Sequence, residues 1–196
     1  MKFIQSLLLL PVAVLSLAAP ALAQTNIAVM SEERVLRESA VGIHIQTRLA
    51  AIAQEVDAEL QAMGQPLAQE REALNAETAA MTMAAIQARP DLVQRIETLN
   101  QQAQAFEVQR QIRQRELVAT EQSAMRPVYE SLGPILEEVV AARGIDILVD
   151  RSNLVFASPE VDISEEVINI LNTRLPTVSV NRVRLPQDGG QAEAAQ

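Results

Sequence analysis

Between about Val41 and Ala142, apolar residues recur at alternating spacings of three and four, and few architectures accept so long a run. In its first half they fall at Ile45, Leu49, Ile52, Val56, Leu60, Met63, Leu67, Leu74 and Met81. In its second half they fall at Leu92, Ile96, Leu99, Ala103, Phe106, Leu117, Ala124, Val128, Ile135 and Val139. This is the seam of a coiled coil. Arg89-Pro90-Asp91 interrupts it. Proline cannot continue a helix inward but suits the first turn of the next one, and Asp91 favours that helix's N-terminus. If the chain reverses near residue 90, facing residues have numbers adding to about 180, by the symmetry of antiparallel helices of equal rise. Ile45 then faces Ile135, Ile52 faces Val128, Val56 faces Ala124, Met63 faces Leu117, Leu74 faces Phe106 and Met81 faces Leu99. Apolar meets apolar along most of the length. The spacing therefore predicts an antiparallel hairpin over residues 41–142, with its tip near 89–91 and arms of roughly 70 Å at 1.5 Å per residue. A single rod pairing in parallel with another chain would carry Pro90 in mid-helix and leave this match to chance.

Two seam positions are arginine, Arg110 and Arg113. Their stems could lie over a thin seam with the guanidinium groups in water. Alternatively, the same register sets Arg110 opposite Glu70 and Arg113 opposite Leu67, and makes Glu70 and Arg110 a pair that fixes the hairpin's register. Gly64-Gln65-Pro66 should kink the first helix, and Pro127 and Gly133-Pro134 the second, so the arms read as jointed.

The flanks change period. Asn26–Met30 reads as a short strand, followed by a brief helical segment through Val35 and Leu36. Gly144 is a helix stop; Asp146–Asp150 and Leu154–Ala157 read as strands about an Arg151-Ser152-Asn153 turn. Ser164 suits an N-cap, Glu165 and Glu166 the first turn, and Pro176 ends the short helix. Residues 24–40 and 143–176 thus form a small body, and residues 177–196 a mostly disordered tail. Residues 1–23 read as a cleaved signal peptide, with Lys2, an apolar stretch from Ile4 to Leu17 and Ala21-Leu22-Ala23. The stretch is short for a membrane span, so stable membrane insertion is not expected and the mature protein works outside the cytoplasm.

Composition narrows the chemistry. There is no cysteine and one histidine, His44, which excludes thiolate clusters and multi-histidine zinc sites. The acid pairs Glu32-Glu33, Glu137-Glu138 and Glu165-Glu166 are adjacent in helical segments and point in different directions, unlike a converging catalytic site. No enzyme activity and no cofactor are expected. Lys2 is the only lysine, so the mature chain sets 15 Arg against 25 Asp and Glu, and nucleic acid is not an expected partner. Residues 60–120 hold six Arg and seven acids, so the arm is nearly neutral between acidic flanks.

The fold class is α+β: a long hairpin attached to a small β-body. Three short strands and two small helices are too little for an independent core, because chains below ~40–60 residues are marginal alone. Strands from several subunits are expected to combine.

The order of these elements resembles the Skp/OmpH family of periplasmic chaperones. The resemblance runs from about Asn26 to Leu175 and rests on IAVMSEERVLRESAVG at the start and GIDILVDRSNLVFASPEVDISEEVINILN at the end, above all on FASPEVDIS. It implies a homotrimer with a shared β-body, three helical arms around a cavity, and ATP-independent holding of unfolded outer-membrane proteins in the periplasm, with no catalytic residue. Client contact is then expected on the distal arm at Met83, Ile86 and Val93, which the seam does not need; Met81 and Leu92 are expected to close the seam. The best-known members have basic, lysine-rich arms, so electrostatic capture of acidic clients does not carry over to this chain, whose mature part has no lysine. The alternative is a secreted coiled-coil spacer of the cell envelope, which has no reason to expose apolar residues at the tip.

Overall fold

The structure, a computed structural model, describes residues 25–186. The expected signal peptide and residues 187–196 lie outside the described residues. The elements run β1 (Ile27–Met30), α1 (Glu32–Glu38), α2 (Ala40–Thr78), α3 (Met83–Gln87), α4 (Pro90–Arg143), β2 (Ile147–Asp150) and α5 (Ser164–Arg174). The protein is α+β, as its periodicities require: a long hairpin and a two-stranded sheet.

Helices α2 and α4 form the arm. At 39 and 54 residues they measure about 58 and 81 Å, and α4 is longer because its base runs on into the body. Both continue through their prolines: Pro66 lies inside α2, and Pro127 and Pro134 lie inside α4. Each proline removes one backbone donor from the helix ladder. Pro90 occupies the first turn of α4 with Asp91 beside it, as the sequence indicates. Gly144 closes α4 in the left-handed conformation, φ 60°, and the Ile145 N–H reaches back to the Val140 carbonyl at 3.0 Å. Only glycine adopts that conformation without a Cβ penalty.

The body closes where the chain's two ends meet. β1 and β2 pair in parallel, Ile27 with Ile147 through Met30 with Asp150, so the whole arm is the crossover between them. Asp162 extends β1 by a single parallel bridge at Val29, and the Ile163 N–H donates to the Val29 carbonyl at 2.9 Å. α5 begins at Ser164, not after it. Asp162 Oδ1 accepts from the Ser164 N–H at 2.8 Å, while the buried Ser164 Oγ accepts from the Ser31 N–H at 2.8 Å. Ser164 therefore ties α5 to the start of α1 instead of capping its own helix.

Two further expectations for the flanks need correction. Leu154–Ala157 is not a strand. The Asp150 carboxylate accepts from the Ser152 N–H at 2.7 Å and turns the chain into a short 3-10 segment, Arg151–Asn153. The following residues swing off the sheet, leaving Val155 fully exposed and Phe156 80% exposed. The tail is also not free over residues 177–186. It runs extended along the arm base, burying Val180, and the Val178 carbonyl accepts from His44 Nε2 at 3.0 Å.

Candidate binding surfaces on the hairpin

The seam is not filled uniformly. At the base, Ile45, Ile52, Val56, Ala124, Val128, Ile135 and Val139 are buried in one cluster that continues into the body through Val35, Ile163, Val167 and Leu171. At the tip, Leu74, Leu92 and Leu99 form a separate core, with Leu67, Met81 and Ile96 packed on it. Between the two, no residue of α2 from 57 to 73 and none of α4 from 100 to 111 is buried.

Within the gap, α2 carries Gly64 and Pro66. The Phe106 ring fills the space beside Gly64, and a Cβ there would stand 3.2 Å from Phe106 Cζ. Next to it, an open cleft of about 930 Å³ separates the helices, lined by Met63, Pro66, Leu67, Leu99 and Phe106 with Glu70, Arg95 and several glutamines at its edges. The floor is apolar and the rim is rich in amides, so no group in the cleft demands a fixed partner.

The turn shifts the outer register. The first helix ends at Thr78, and the reversal occupies residues 79–89, including α3, whose Ala85 N–H is capped by Thr82 Oγ1 at 3.3 Å. The midpoint lies several residues before Pro90, so facing pairs in the outer arm add to about 165–172, not 180. Arg95 accordingly reaches Glu70 at 2.9 Å and Glu77 at 2.8 Å. Arg110 faces away from this seam and pairs with Glu107 at 2.8 Å on its own helix. The expected Glu70–Arg110 pair is therefore not formed. Glu70 does join the two helices, with Arg95 as its partner. The tip is further tied by Arg89, which holds Asp91 at 2.6 Å and lowers that carboxyl to about 2.

The expected contact residues divide by exposure. Met83 is 69% exposed and Val93 also faces solvent, while Ile86 is half-buried. Met81 and Leu92 belong to the tip core, as the seam demanded. Val108 and Val118 add exposed apolar surface along α4.

Arg113 departs furthest from its expected place. Its guanidinium is buried at the inner end of the gap, not in water opposite Leu67. Nη1 lies 3.1 Å from Glu116 Oε1, and Nε lies 3.2 Å from Glu59 Oε2 without the alignment of a hydrogen bond. Glu116 is 1% exposed. Arg182, from the extended tail, completes the cluster with contacts of 2.7 Å to Glu59 and 2.9 Å to Glu116. The Arg182 guanidinium holds Glu59 below the usual carboxylate range and is itself raised by that partner. Periodicity gave no sign of this cluster, because Glu116 and Arg182 meet across 66 positions.

Among the described residues there is no cluster of three or more His, Cys, Asp or Glu side chains suited to a metal, and no helix long and apolar enough to cross a membrane. The molecule belongs to a class of arm-bearing α+β proteins whose available surface lies along exposed helices and not in a closed pocket. The family model described as outer membrane protein (OmpH-like) matches residues 26–171, and the chain belongs to that family. A crystal structure of a candidate OmpH-like outer membrane chaperone from Caulobacter crescentus is similar, with 33% identity and a TM-score of 0.69, covering 84% of this chain and 94% of that one. A comparison with curated protein sequences finds no match.

Proposed function

We infer that this protein is an ATP-independent periplasmic holdase that binds unfolded outer-membrane proteins along its helical arms. The observation that carries the reading is the seam itself: an arm closed at its base and tip but open between them, with apolar floor and exposed Met83 and Val93 beyond. A spacer rod has no use for such an interruption, which lowers stability without adding reach. A holdase needs no bond chemistry, because binding unfolded chain lowers its free concentration. Many weak contacts on several arms supply avidity without a deep pocket.

The working unit in this reading is a homo-oligomer, a trimer by the family resemblance. Val155 and Phe156 are exposed beside a sheet of only two strands, and two strands are marginal without further cover. Their burial by sister subunits would gather the arms about an axis. The test is to dilute an unfolded outer-membrane β-barrel protein from urea with the mature protein, whose assembled mass is measured by light scattering. Suppressed aggregation at stoichiometric trimer is expected. No suppression, with a folded and assembled protein, would favour the spacer.

A further inference from the structure

The family match ends at Leu171, before the segment that crosses the arm base. From Thr177 to Pro186 the chain is extended, and its inward and outward residues largely alternate. Val178, Val180, Arg182 and Leu185 are buried or half-buried, whereas Ser179, Asn181 and Arg184 are exposed. It is held as a bound peptide is held. The Val183 N–H donates to Thr120 Oγ1 at 2.9 Å, and the Leu185 N–H donates to Glu116 Oε1 at 3.2 Å. Arg182 forks onto both Glu59 oxygens at 2.7 and 3.0 Å, while its Nε and Nη2 reach Glu116 Oε2 at 3.2 and 2.9 Å.

The receiving surface belongs entirely to the arm. Without this segment, Glu59 and Glu116, whose 1% exposure is reached with the segment in place, would face one guanidinium, Arg113, whose Nε already lacks an aligned acceptor. A carboxylate buried in a helix seam is tolerated only when charge-assisted bonds replace its hydration, and here three of the four hydrogen bonds to the Glu116 carboxylate and both of those to Glu59 come from the segment. The site is therefore built to take an arginine presented on extended backbone.

We propose that Glu59, Glu116 and Thr120 form a binding site for extended, arginine-bearing segments with alternating apolar residues, and that residues 177–186 are its tethered resident. The source of the competing segment rests on the holdase reading. A strand of an outer-membrane barrel has this format, about 9–11 residues with alternate apolar side chains. Tethering gives the resident an effective concentration in the millimolar range, so single weak segments are excluded and only clients already engaged elsewhere on the arms displace it.

The test uses a fluorescein-labelled peptide of residues 176–186 and full-length protein, read by fluorescence anisotropy. Arg182→Ala releases the resident by removing its charge anchor, and Val180→Asp releases it by removing its buried apolar anchor. Circular dichroism checks that each variant folds, and hydrogen exchange reads the amides of residues 177–186. Both variants should lose that protection and bind the peptide at least tenfold more tightly than wild type. Adding Glu116→Gln to Arg182→Ala should abolish binding, as should alanine in place of arginine in the peptide. Equal binding to wild type and released variants would overturn the proposal, as would no binding once the segment is free or unchanged exchange in both variants. The assay contains no client, so peptide binding without suppressed aggregation would refute the holdase and leave the site standing. Suppression without peptide binding would do the reverse.

Discussion

The base and the middle of the arm follow one heptad pattern and pack in opposite ways. At the base, β-branched Ile45, Ile52, Val56, Val128, Ile135 and Val139 interlock, and the extended C-terminal segment lies over them. In the middle, flexible Met63, half-buried Leu67 and small Ala103 occupy the equivalent places, Pro66 removes a helix bond, and Phe106 stands over Gly64. The pattern specifies that two helices meet; the volume and stiffness of the side chains decide whether the space between them fills. The arm is thus a firm root, an open middle and a small closed tip. Local unfolding is expected to start in the middle, where few apolar contacts hold it.

The contrast can be broken by mutation. Ile135→Ala at the base should lose about 2–5 kcal/mol in urea unfolding, the range for a truncated buried aliphatic side chain. Met63→Ala in the middle should lose less than about 1 kcal/mol, because its side chain already meets solvent. Equal losses would mean that the seam is filled throughout. Arg182→Ala should follow at about 2 kcal/mol, since it leaves buried Glu116 with Arg113 alone. Arg182→Lys should recover only part of this, as an ammonium cannot fork between two carboxylates.

Acid should act on the root through the same pair. Glu59 is lowered in the folded protein, chiefly by its hydrogen bond to Arg182. Its contribution is therefore fully present above the ordinary glutamate pKa and is lost as the pH falls through the lowered value. Exchange protection of the amides at 177–186 should be constant from neutral pH to the ordinary glutamate range and decline below it. A decline on raising the pH from 5 to 8 has the wrong sign for this linkage. The smallest effect is expected from Gly64→Ala. Alanine is favoured over glycine inside a helix by up to about 1 kcal/mol, and the Phe106 ring beside an open cleft has room to yield. Stability should rise by about 0.5 kcal/mol; a loss above 1 kcal/mol would show Phe106 to be as tightly confined as a base residue.

What the sequence revealed was what short-range physics controls. Heptads placed the arm, Pro90 opened α4, Gly144 closed it, and Pro176 stood just beyond the end of α5. Matching apolar runs marked the base residues that the two helices bury, but the register itself rested on the placement of the turn. Near the tip it failed because the reversal spreads over residues 79–89, and Pro90 begins a helix without marking the apex. The Leu154–Ala157 segment is apolar enough for a strand, but Asp150 turns it away from the β1–β2 sheet. The Glu59–Glu116–Arg182 cluster was invisible for a different reason. Glu116 is an ordinary helix residue until a segment far along the chain crosses it, and periodicity carries no information about such a partner.

Hydrogen exchange along the full-length protein, with and without an unfolded outer-membrane β-barrel protein, tests the central claim most directly. If the open middle and tip hold the client, amides across residues 57–111 gain protection while the base core from Ile45 to Val56 and from Ala124 to Val139 is unchanged. Protection gained only at the base, or nowhere in a mixture where aggregation is suppressed, would contradict the account.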